Sequence, residues 1–320
     1  MCFFNKNYKK ITKKLILLYF LLPNILLAAD ENIVLPDFGD SSGGTFSPSY
    51  ERRLSQMFLK QIRRFSTINT DPEVELYIQS LGYNLVSNSD NAKQSFKFMV
   101  INDPSINAFA GPGGIIGINS GVILHSGTES ELAGVVAHEI AHVTQKHLAR
   151  AFEEAKRYSL PTAAAMIGAI IMATQNPSAG QAMLSGITGL NTQNQINFTR
   201  ENEKEADRIG IKLLEKSGYN PRGMPQFFEK LQKISKFSQN NQPEFFRTHP
   251  LTTSRIADAR SRAESYTKKQ FENSHAYELV RYKLLVQTIE KPKEAILFLR
   301  NKLEENKDGA KKELYIRYGL

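Results

Sequence analysis

The order of apolar and polar residues along this chain predicts mostly helices. Apolar residues recur three and four positions apart in 50–65, 71–85 and 199–217, which is the spacing of a helix with one buried face. The second segment begins with Asp-Pro, a helix-start signal, and the third ends before Gly218, a stop signal. We therefore expect three helices that each turn one side towards a core.

Two short runs rich in β-forming residues, 96–101 and 115–119, predict strands. A turn-rich loop that carries Asn107, Ala108 and Phe109 joins them. The glycines of this region do not have the spacing of a dinucleotide-binding fingerprint, and they lead into a strand rather than a helix. We expect a small sheet here and no nucleotide site.

Four further segments complete the predicted helical part. Residues 129–157 have a helical pattern that is apolar on nearly every side in its first half, so its start should be buried. The apolar run 160–174 is shorter than the ~20 residues that span a bilayer, which leaves a core helix or a loop that touches a membrane. Residues 245–264 predict a loop leading into a helix, and 275–320 predict successive short helices. The predicted fold class is mainly α with a small β-sheet, an α+β fold.

Residues 1–29 have the composition of a secretory signal peptide. Five lysines precede the apolar run 15–29, a proline interrupts that run, and the small residues Ala28 and Ala29 end it. Leu27 is a less favoured residue at its position before the cleavage site, so an uncleaved N-terminal anchor is the alternative. Either way, the chain is expected to leave the cytoplasm.

The charge of the chain does not indicate a nucleic-acid partner. The net charge is +9, but five lysines precede any acidic residue, and without them the excess is +4. The single cysteine, Cys2, lies in the same segment, so the exported protein would contain no thiol and no disulfide. We expect its stability to come from packing or from a metal.

The segment from His138 to His142 matches the pattern HExxH. In a helix the two histidines lie about 40° apart and one turn apart, so both imidazoles can reach one tetrahedral Zn²⁺. Glu139 reaches the remaining side of the ion, where it can accept a proton from a water molecule. The pattern also arises by chance, and a buried helical histidine is commonly only hydrogen-bonded. However, two histidines and a glutamate buried together in an apolar helix are costly, and a metal removes that objection.

A zinc site of this kind needs a third protein ligand. The metzincin extension would place Gly and His three and six residues after His142, where this chain has Gln145 and Leu148. His147 lies about 140° around a continuous helix from His142, so it is expected at the surface or beside a ligand rather than on the ion. The third ligand must come from elsewhere in the chain.

The segment 201–214 supplies three candidate glutamates. In a helix Glu203 lies within about 80° of the apolar residues of the segment, whereas Glu205 lies about 200° away, beside lysines. We therefore expect Glu203 in the core and Glu205 in water. Asp207, one turn after Glu203, can accept a hydrogen bond from the far nitrogen of a zinc-bound histidine. Without the HExxH motif, the segment would be typical of a solvated run of charges.

Four elements of the sequence resemble one peptidase family. They are NAFAGPGG at 107–114, HExxH at 138–142, ExxAD at 203–207 and HPLTTSRI at 249–256. The family includes the CAAX prenyl endopeptidase and the HtpX-type heat-shock proteases. The resemblance implies a zincin-like catalytic domain of the gluzincin type with one Zn²⁺ per chain. The implied zinc ligands are His138, His142 and Glu203, and the implied base is Glu139.

The resemblance covers roughly residues 30–265, which we expect to form the zinc metallopeptidase domain. Integral-membrane members of the family have several spanning helices, and none is clear here after 1–29. Periplasmic members continue into an array of tetratricopeptide repeats, and 266–320 resembles the first helices of an incomplete array. The resemblance implies a periplasmic protein whose substrates are unfolded or stalled outer-membrane proteins. Its C-terminal helices would contact the outer-membrane assembly machinery.

Three roles are open for His249. It can stabilise the oxyanion formed during peptide hydrolysis, occupy the fourth zinc position and hold the enzyme latent, or cap the following helix. Arg255 is expected to anchor the loop of His249 through a carboxylate such as Asp207.

An extended substrate requires a strand along which its backbone can pair. Strand 115–119, entered through Asn107 and the glycines Gly113 and Gly114, is a candidate for such an edge, with Asn107 as the anchor. The alternative is that 115–119 is an ordinary core strand.

The sequence leaves two further functions open. One is a periplasmic chaperone or binding module in which zinc is structural, although such sites are commonly closed by four Cys or His ligands. The other is a membrane-anchored protease, which depends on whether the signal is cleaved. Peripheral membrane contact through 160–174 is compatible with either.

Overall fold

The structure is a computed structural model that describes residues 47–156, 192–237, 243–266, 269–289 and 291–305, together with residues 168, 169, 172, 178 and 180. The chain divides into two compact units, Met1–Gly44 and Thr45–Leu320, and all described residues lie in the second. The expected signal peptide and most of the apolar run 160–174 lie outside the described residues.

Helices dominate the described part of the chain, as the hydrophobic pattern predicts. The first half contains α1 (Pro48–Phe65), α2 (Pro72–Ser87), α3 (Ser120–His125), α4 (Glu129–Thr144) and α5 (His147–Lys156). The second half contains α6 (Thr192–Lys216), α7 (Gly223–Phe237), α8 (Phe245–Thr248), α9 (Thr253–Glu264), α10 (His275–Gln287) and α11 (Pro292–Glu305). None of the described helices is long and apolar enough to cross a membrane.

The predicted helix starts and stops are confirmed where the sequence has clear signals. The side chain of Asp71 accepts hydrogen bonds from the backbone N–H groups of Glu73 and Val74, which caps α2 at its Pro72 start. Gly218, just after α6, has a φ of +81°, the left-handed conformation that ends helices. Helix α6 begins seven residues earlier than the hydrophobic pattern predicts, at Thr192 rather than position 199.

The sheet has one strand more than the sequence predicts. Its strands are β1 (Lys97–Ile101), β2 (Ala108–Gly111) and β3 (Ile115–Asn119), in the order β1-β3-β2. Strand β3 pairs in parallel with β1 and antiparallel with β2. The expectation that 108 and 109 lie in a loop was therefore wrong, because four residues between a loop and a tight turn are too few to show an alternating pattern.

The position of β3 also corrects the expected substrate edge. Because β3 hydrogen-bonds to a strand on each side, it has no free edge, and all five of its residues are buried. The prediction of an edge at 115–119 was wrong, and the alternative of a core strand is correct. The edges of this sheet belong to β1 and β2.

A tight turn of Pro112–Gly114 connects β2 to β3 and requires glycine twice. Gly113 and Gly114 have φ angles of +71° and +72°, which side chains other than glycine adopt at a cost. A Cβ on Gly114 would lie 2.1 Å from the carbonyl oxygen of Ser95. These two glycines thus have a structural role, whatever else they do.

The apolar helix α4 lies in the centre of the fold. It packs against α6, α7, α2 and the sheet, and nearly all of its residues are buried. Gly134 lets α7 approach closely, since a Cβ there would lie 3.0 Å from the Cα of Met224. Gly210 of α6 likewise lets α6 approach α4 closely, because a Cβ at this position would lie 3.3 Å from the backbone N of His138. The two helices that flank α4 are therefore held at short distance from the HExxH segment.

The predicted single helix over 129–157 is wrong, because it is two helices. Helix α4 ends at Thr144 and α5 begins at His147. Between them, Lys146 has a φ of +55°, and it is the one non-glycine residue with a positive φ in the described part of the chain. Nothing in the apolar pattern marks this break, since no Gly or Pro is present there.

The C-terminal helix α10 belongs to the same core as the preceding helices. Tyr277, Val280 and Leu284 are buried in the main hydrophobic cluster. Glu129, the first residue of α4, accepts hydrogen bonds from Ser274 N at 2.7 Å and Ser274 Oγ at 2.8 Å. This contact ties the start of α10 to the start of α4. The expected boundary at residue 265 stays a prediction.

Replacing Gly114 by Ala should destabilise the fold more than replacing Gly218 by Ala. Both positions have a positive φ, but only Gly114 has backbone atoms where the new Cβ would lie. We expect Gly114→Ala to lower the free energy of unfolding by roughly 2–3 kcal/mol and Gly218→Ala by about 1 kcal/mol. Urea denaturation of the two variants measures the difference, and equal losses would contradict the packing argument.

Candidate metal centre

Helix α4 brings the HExxH residues together in the interior. Its start is fixed by Thr128, whose side chain accepts a hydrogen bond from the backbone N–H of Glu131. His138 and Glu139 are fully buried, and His142 is 13% exposed. The Nε2 atoms of His138 and His142 lie 3.0 Å apart, so both imidazoles face one point, as the spacing predicts.

Helix α6 adds Glu203 at the same point. Glu203 is 3% exposed, and its carboxylate oxygens lie 3.3 Å from His138 Nε2 and 3.4 Å from His142 Nε2. The helical-face argument therefore placed Glu203 in the core correctly.

His249 completes a four-residue cluster. It follows the short helix α8, and its Nδ1 lies 3.2 Å from the carboxylate of Glu203 and 3.3 Å from His138 Nε2. The ring of Phe245 stacks on the His249 imidazole at a centroid distance of 4.7 Å and an interplanar angle of 26°. The side chain that caps the following helix α9 is Thr252, so the capping role considered for His249 is filled by another residue.

The distances within the cluster of His138, His142, Glu203 and His249 fit a tetrahedral metal site. Bonds of about 2.0–2.1 Å to nitrogen and oxygen place tetrahedral ligand atoms about 3.3 Å apart. Five of the six residue pairs in the cluster have a nitrogen or oxygen of each residue within 3.0–3.4 Å, with Glu203 using Oε2 towards His138 and Oε1 towards His142. One ligand atom from each of the four residues lies within 4.8 Å of the others. Such a convergence of ring nitrogens and carboxylate oxygens in the interior has the donor chemistry of a divalent cation site.

Glu139 lies beside the cluster with its carboxylate free. Neither of its oxygens accepts a hydrogen bond from any described residue, although Glu139 is fully buried. The Nε2 atom of His249 lies 3.4 Å from Glu139 Oε1. Because a buried carboxylate without hydrogen bonds is costly, this geometry indicates a partner such as a metal ion or water.

Asp207 and Arg255 support Glu203 and His138 from behind. Arg255 is 1% exposed and holds Asp207 with two hydrogen bonds of 2.7 Å, from Nε and from Nη2. Its Nη1 lies 2.8 Å from Glu203 Oε2 and donates to the carbonyl of Pro250 at 2.9 Å. Asp207 Oδ1 lies 3.0 Å from His138 Nδ1, the nitrogen that faces away from the cluster. Asp207 thus lies at the far nitrogen of a cluster histidine, and Arg255 pairs with Asp207, as the sequence predicts.

Burial and charge shift the pKa values of the cluster strongly. Burial lowers the pKa of His138, but the carboxylates of Asp207 and Glu203 outweigh it and raise the pKa to about 9. Burial lowers the pKa of His142 to about 3. Burial also raises the pKa of Glu139, whereas the surrounding histidines hold the pKa of Glu203 well below its usual range despite its burial. The two carboxylates thus differ in proton affinity because Glu203 has charged partners and Glu139 has few.

His147 and Glu205 lie where sequence reasoning only partly placed them. His147 is 5% exposed, and its Nδ1 lies 2.9 Å from His142 Nδ1, so it lies beside a ligand and not at the surface. Glu205 is 38% exposed, and it contacts Arg150 and His147. The sequence provides no signal of the contact between His147 and Glu205, because both residues fall on the outer faces of their predicted helices. The contact forms because the break at Lys146 turns α5 towards α6.

Of the expected substrate residues, Asn107 contacts the loop of His249, whereas the two glycines lie at the other end of β2. Asn107 is 6% exposed, and its Oδ1 accepts a hydrogen bond of 3.3 Å from Thr248, the residue before His249. The backbone N–H of Phe245 donates to the carbonyl of Ile106 at 3.1 Å, which joins the same two loops. Gly113 and Gly114 lie at the other end of β2, in the turn against Ser55 and Ser95.

The site therefore has the architecture of an HExxH metal centre with a glutamate from a second helix. Residues 72–263 match the model of Peptidase family M48, which spans more than half of the chain. The chain belongs to this family.

Several named relatives resemble the chain beyond the site. It is 42% identical over 257 residues to the Beta-barrel assembly-enhancing protease of Escherichia coli (strain K12), covering 80% of this chain and 53% of the relative. It is 40% identical over 259 residues to the Putative beta-barrel assembly-enhancing protease of Vibrio cholerae, covering 81% and 53%. The Metalloprotease LoiP of Escherichia coli is 29% identical over 180 residues, covering 56% and 67%. The chain spans about half the length of the first two relatives.

Removing the Arg255 charge should destabilise the metal-free protein far more than removing an exposed arginine. Arg255→Leu leaves two buried carboxylates without their counter-ion, and we expect a loss of about 3–5 kcal/mol in the free energy of unfolding. The control is Arg260→Leu on the same helix, since Arg260 is 61% exposed and pairs with Glu229 at 3.0 Å. That variant should lose less than about 1 kcal/mol. Denaturation after chelator treatment compares them, and similar losses would show that the Arg255 network contributes little.

Proposed function

We propose that this chain is a periplasmic zinc metalloendopeptidase that hydrolyses peptide bonds of extended or misfolded proteins. The observation that carries the proposal is the convergence of His138, His142 and Glu203 beside a buried Glu139 whose carboxylate has no described hydrogen-bond partner. Membership of Peptidase family M48 supports the same reaction.

Zinc is the metal that the donor set favours. Two imidazoles and a carboxylate at tetrahedral separations are typical ligands of a catalytic Zn²⁺. Bound Zn²⁺ would polarise the scissile carbonyl and lower the pKa of a water molecule towards neutrality. Asp207 holds the His138 ring from its far nitrogen, and Arg255 fixes the Glu203 carboxylate, so both ligands are oriented before anything binds.

Glu139 is the group that moves the proton. Its carboxylate lies beside the cluster, 3.4 Å from His249 Nε2. Once His249 has moved away, this carboxylate can accept a proton from the attacking water and pass it to the leaving amine. Full burial disfavours the charged form of Glu139 and so raises the pKa of its carboxyl, which increases its affinity for a proton.

The edge strand β2 is the proposed binding place for the substrate backbone. Beyond β2 the described residues contain no further strand, and β2 packs against α4 next to the cluster. An extended peptide can add to such an edge through backbone hydrogen bonds. Asn107 lies just before β2, and Gly113 and Gly114 lie just after it, so the three expected substrate residues flank this edge.

The relatives supply the proposed biological context. Identities of 40–42% with proteins named for enhancing β-barrel assembly support unfolded or stalled outer-membrane proteins as substrates. Residues 1–29 would direct export, 30–265 would carry the chemistry, and 266–320 would begin a tetratricopeptide-like array that contacts the outer-membrane assembly machinery. Residues 160–174 would provide any peripheral membrane contact.

One observation favours a second function, a chaperone or binding module with structural zinc. His249 brings the cluster to four protein ligand atoms, and closed four-ligand sites are commonly structural. The free carboxylate of Glu139 favours the enzyme, because a purely structural site has no use for it. We propose that His249 holds the enzyme latent in the observed position by occupying the fourth ligand position. Stabilisation of the oxyanion is the alternative role, which the variant of His249 tests.

Glu139→Gln should abolish peptidase activity and retain the metal. The amide has the shape of the carboxylate but cannot accept the proton, so casein degradation should fall at least about 100-fold. Zinc content of the purified variant, measured by atomic emission, should equal that of the unmodified protein. Activity retained in the variant would rule out the proposed mechanism.

His249→Ala should raise peptidase activity, because it frees the fourth position while three ligands remain. The control is His275→Ala, which removes an exposed histidine at the start of α10 and should change nothing. Both casein degradation and zinc content are measured. Lost activity with zinc retained would assign His249 to oxyanion stabilisation alone, and lost zinc would support the structural site.

A further inference from the structure

We propose that His147 and Glu205 are positioning residues for His142, which orient its imidazole so that Nε2 faces the ligand cluster. The inference rests on the proposed function, because it takes His142 to be a metal ligand. His142, His147 and Glu205 are called the outer network below.

The outer network joins three side chains from three helices. His142 Nε2 lies 3.0 Å from His138 Nε2, so its other nitrogen, Nδ1, faces away from the cluster. There it lies 2.9 Å from His147 Nδ1, with the two rings at 80° and their centroids 4.8 Å apart. On the far side of the His147 ring, Nε2 lies 3.1 Å from Glu205 Oε2.

The chemistry of the three groups fixes the direction of the hydrogen bonds. An ionised carboxylate only accepts, so His147 Nε2 must donate to Glu205. In a neutral imidazole the other nitrogen then accepts, so His147 Nδ1 must receive the hydrogen of His142 Nδ1. That leaves the lone pair of His142 on Nε2, directed at the cluster. This is the tautomer that a metal ligand needs.

Arg150 fixes the outer end of the network. Its Nη1 donates to Glu205 Oε2 at 2.7 Å, the same oxygen that lies 3.1 Å from His147 Nε2. A guanidinium only donates hydrogen bonds, so this Glu205 oxygen must be an acceptor towards Arg150, and it can accept from His147 as well.

The backbone at Lys146 makes the contact between His142 and His147 attainable. In a continuous helix the two side chains would point about 140° apart. The positive φ of Lys146 breaks the helix and turns His147 back towards His142. A left-handed lysine costs about 1–2 kcal/mol, and such strain persists where the surroundings require it. The 2.9 Å contact between His142 Nδ1 and His147 Nδ1 therefore depends on this break in the helix.

A structural alternative exists for His147, since a buried histidine can simply join α5 to α6. The two roles predict different measurements. A structural histidine contributes to folding stability and leaves the metal affinity of a folded variant unchanged. A positioning histidine changes the affinity for the metal, because His142 loses the acceptor that fixes its tautomer and ring angle.

The test compares His147→Phe with Glu205→Leu and with both changes together in the full chain. His147→Phe retains an aromatic ring but removes both nitrogens, and Glu205→Leu removes the acceptor at a partly exposed position. The dissociation constant of Zn²⁺ is measured by competition with a chromogenic chelator. We expect it to rise about 10–100-fold in His147→Phe and about 10-fold in Glu205→Leu. The combined variant should bind no more weakly than His147→Phe, because both changes interrupt one network.

Two further measurements separate the inference from its alternatives. His275→Phe, at an exposed histidine, is the matched control and should keep the unmodified affinity. The visible absorption of the Co²⁺-loaded protein should shift in His147→Phe, since it reports the donor strength of the ligands. If His147→Phe fails to fold, Glu205→Leu carries the test.

Unchanged zinc affinity in folded His147→Phe or in Glu205→Leu, with lower stability alone, would overturn the inference and leave the proposed function intact. Absence of zinc binding by the unmodified protein would overturn the proposed function itself. The two failures are therefore distinguishable.

Discussion

Charge compensation in the interior is the constraint on which this structure depends. Glu203, Asp207 and Arg255 are each no more than 3% exposed, and they are joined by contacts of 2.7–2.8 Å. One guanidinium cannot neutralise two carboxylates, and Glu139 adds a third acidic group nearby. Buried charges are tolerated only when they are paired or bound to a metal. In the metal-free protein the carboxylates raise the pKa of His138 to about 9, which provides one further positive charge. A divalent cation at the point where the three histidines and Glu203 meet would provide positive charge in its place.

The apolar helix α4 makes such a site feasible. Its buried faces hold the HExxH residues rigid, while Gly134 and Gly210 allow α7 and α6 to lie against it at short distance. A ligand set built on two packed helices is more precise than one built on loops. His249, the residue proposed to move, lies between the short α8 and the Thr252 cap of α9.

The loop of His249 connects the ligand cluster to the edge of the sheet. Arg255 contacts the Pro250 carbonyl on one side, and Thr248 contacts Asn107 on the other. A substrate that pairs with β2 would therefore act on the residues next to His249. Binding of a substrate at the edge of β2 and movement of His249 away from the fourth ligand position would then be coupled, because both involve the same short loop.

The sequence by itself determined most helices, two of the three strands and the four central site residues. Helical periodicity is a local property, so the spacing of His138 and His142 and the inward face of Glu203 follow from 3.6 residues per turn. Only the tertiary structure decided the third strand, the break after Thr144 and the contact of His147 with His142 and Glu205. Strand β2 exists because β3 pairs with it, and Lys146 is left-handed because α5 must pack towards α6. Such features depend on contacts between distant segments, and no local pattern of residues encodes them.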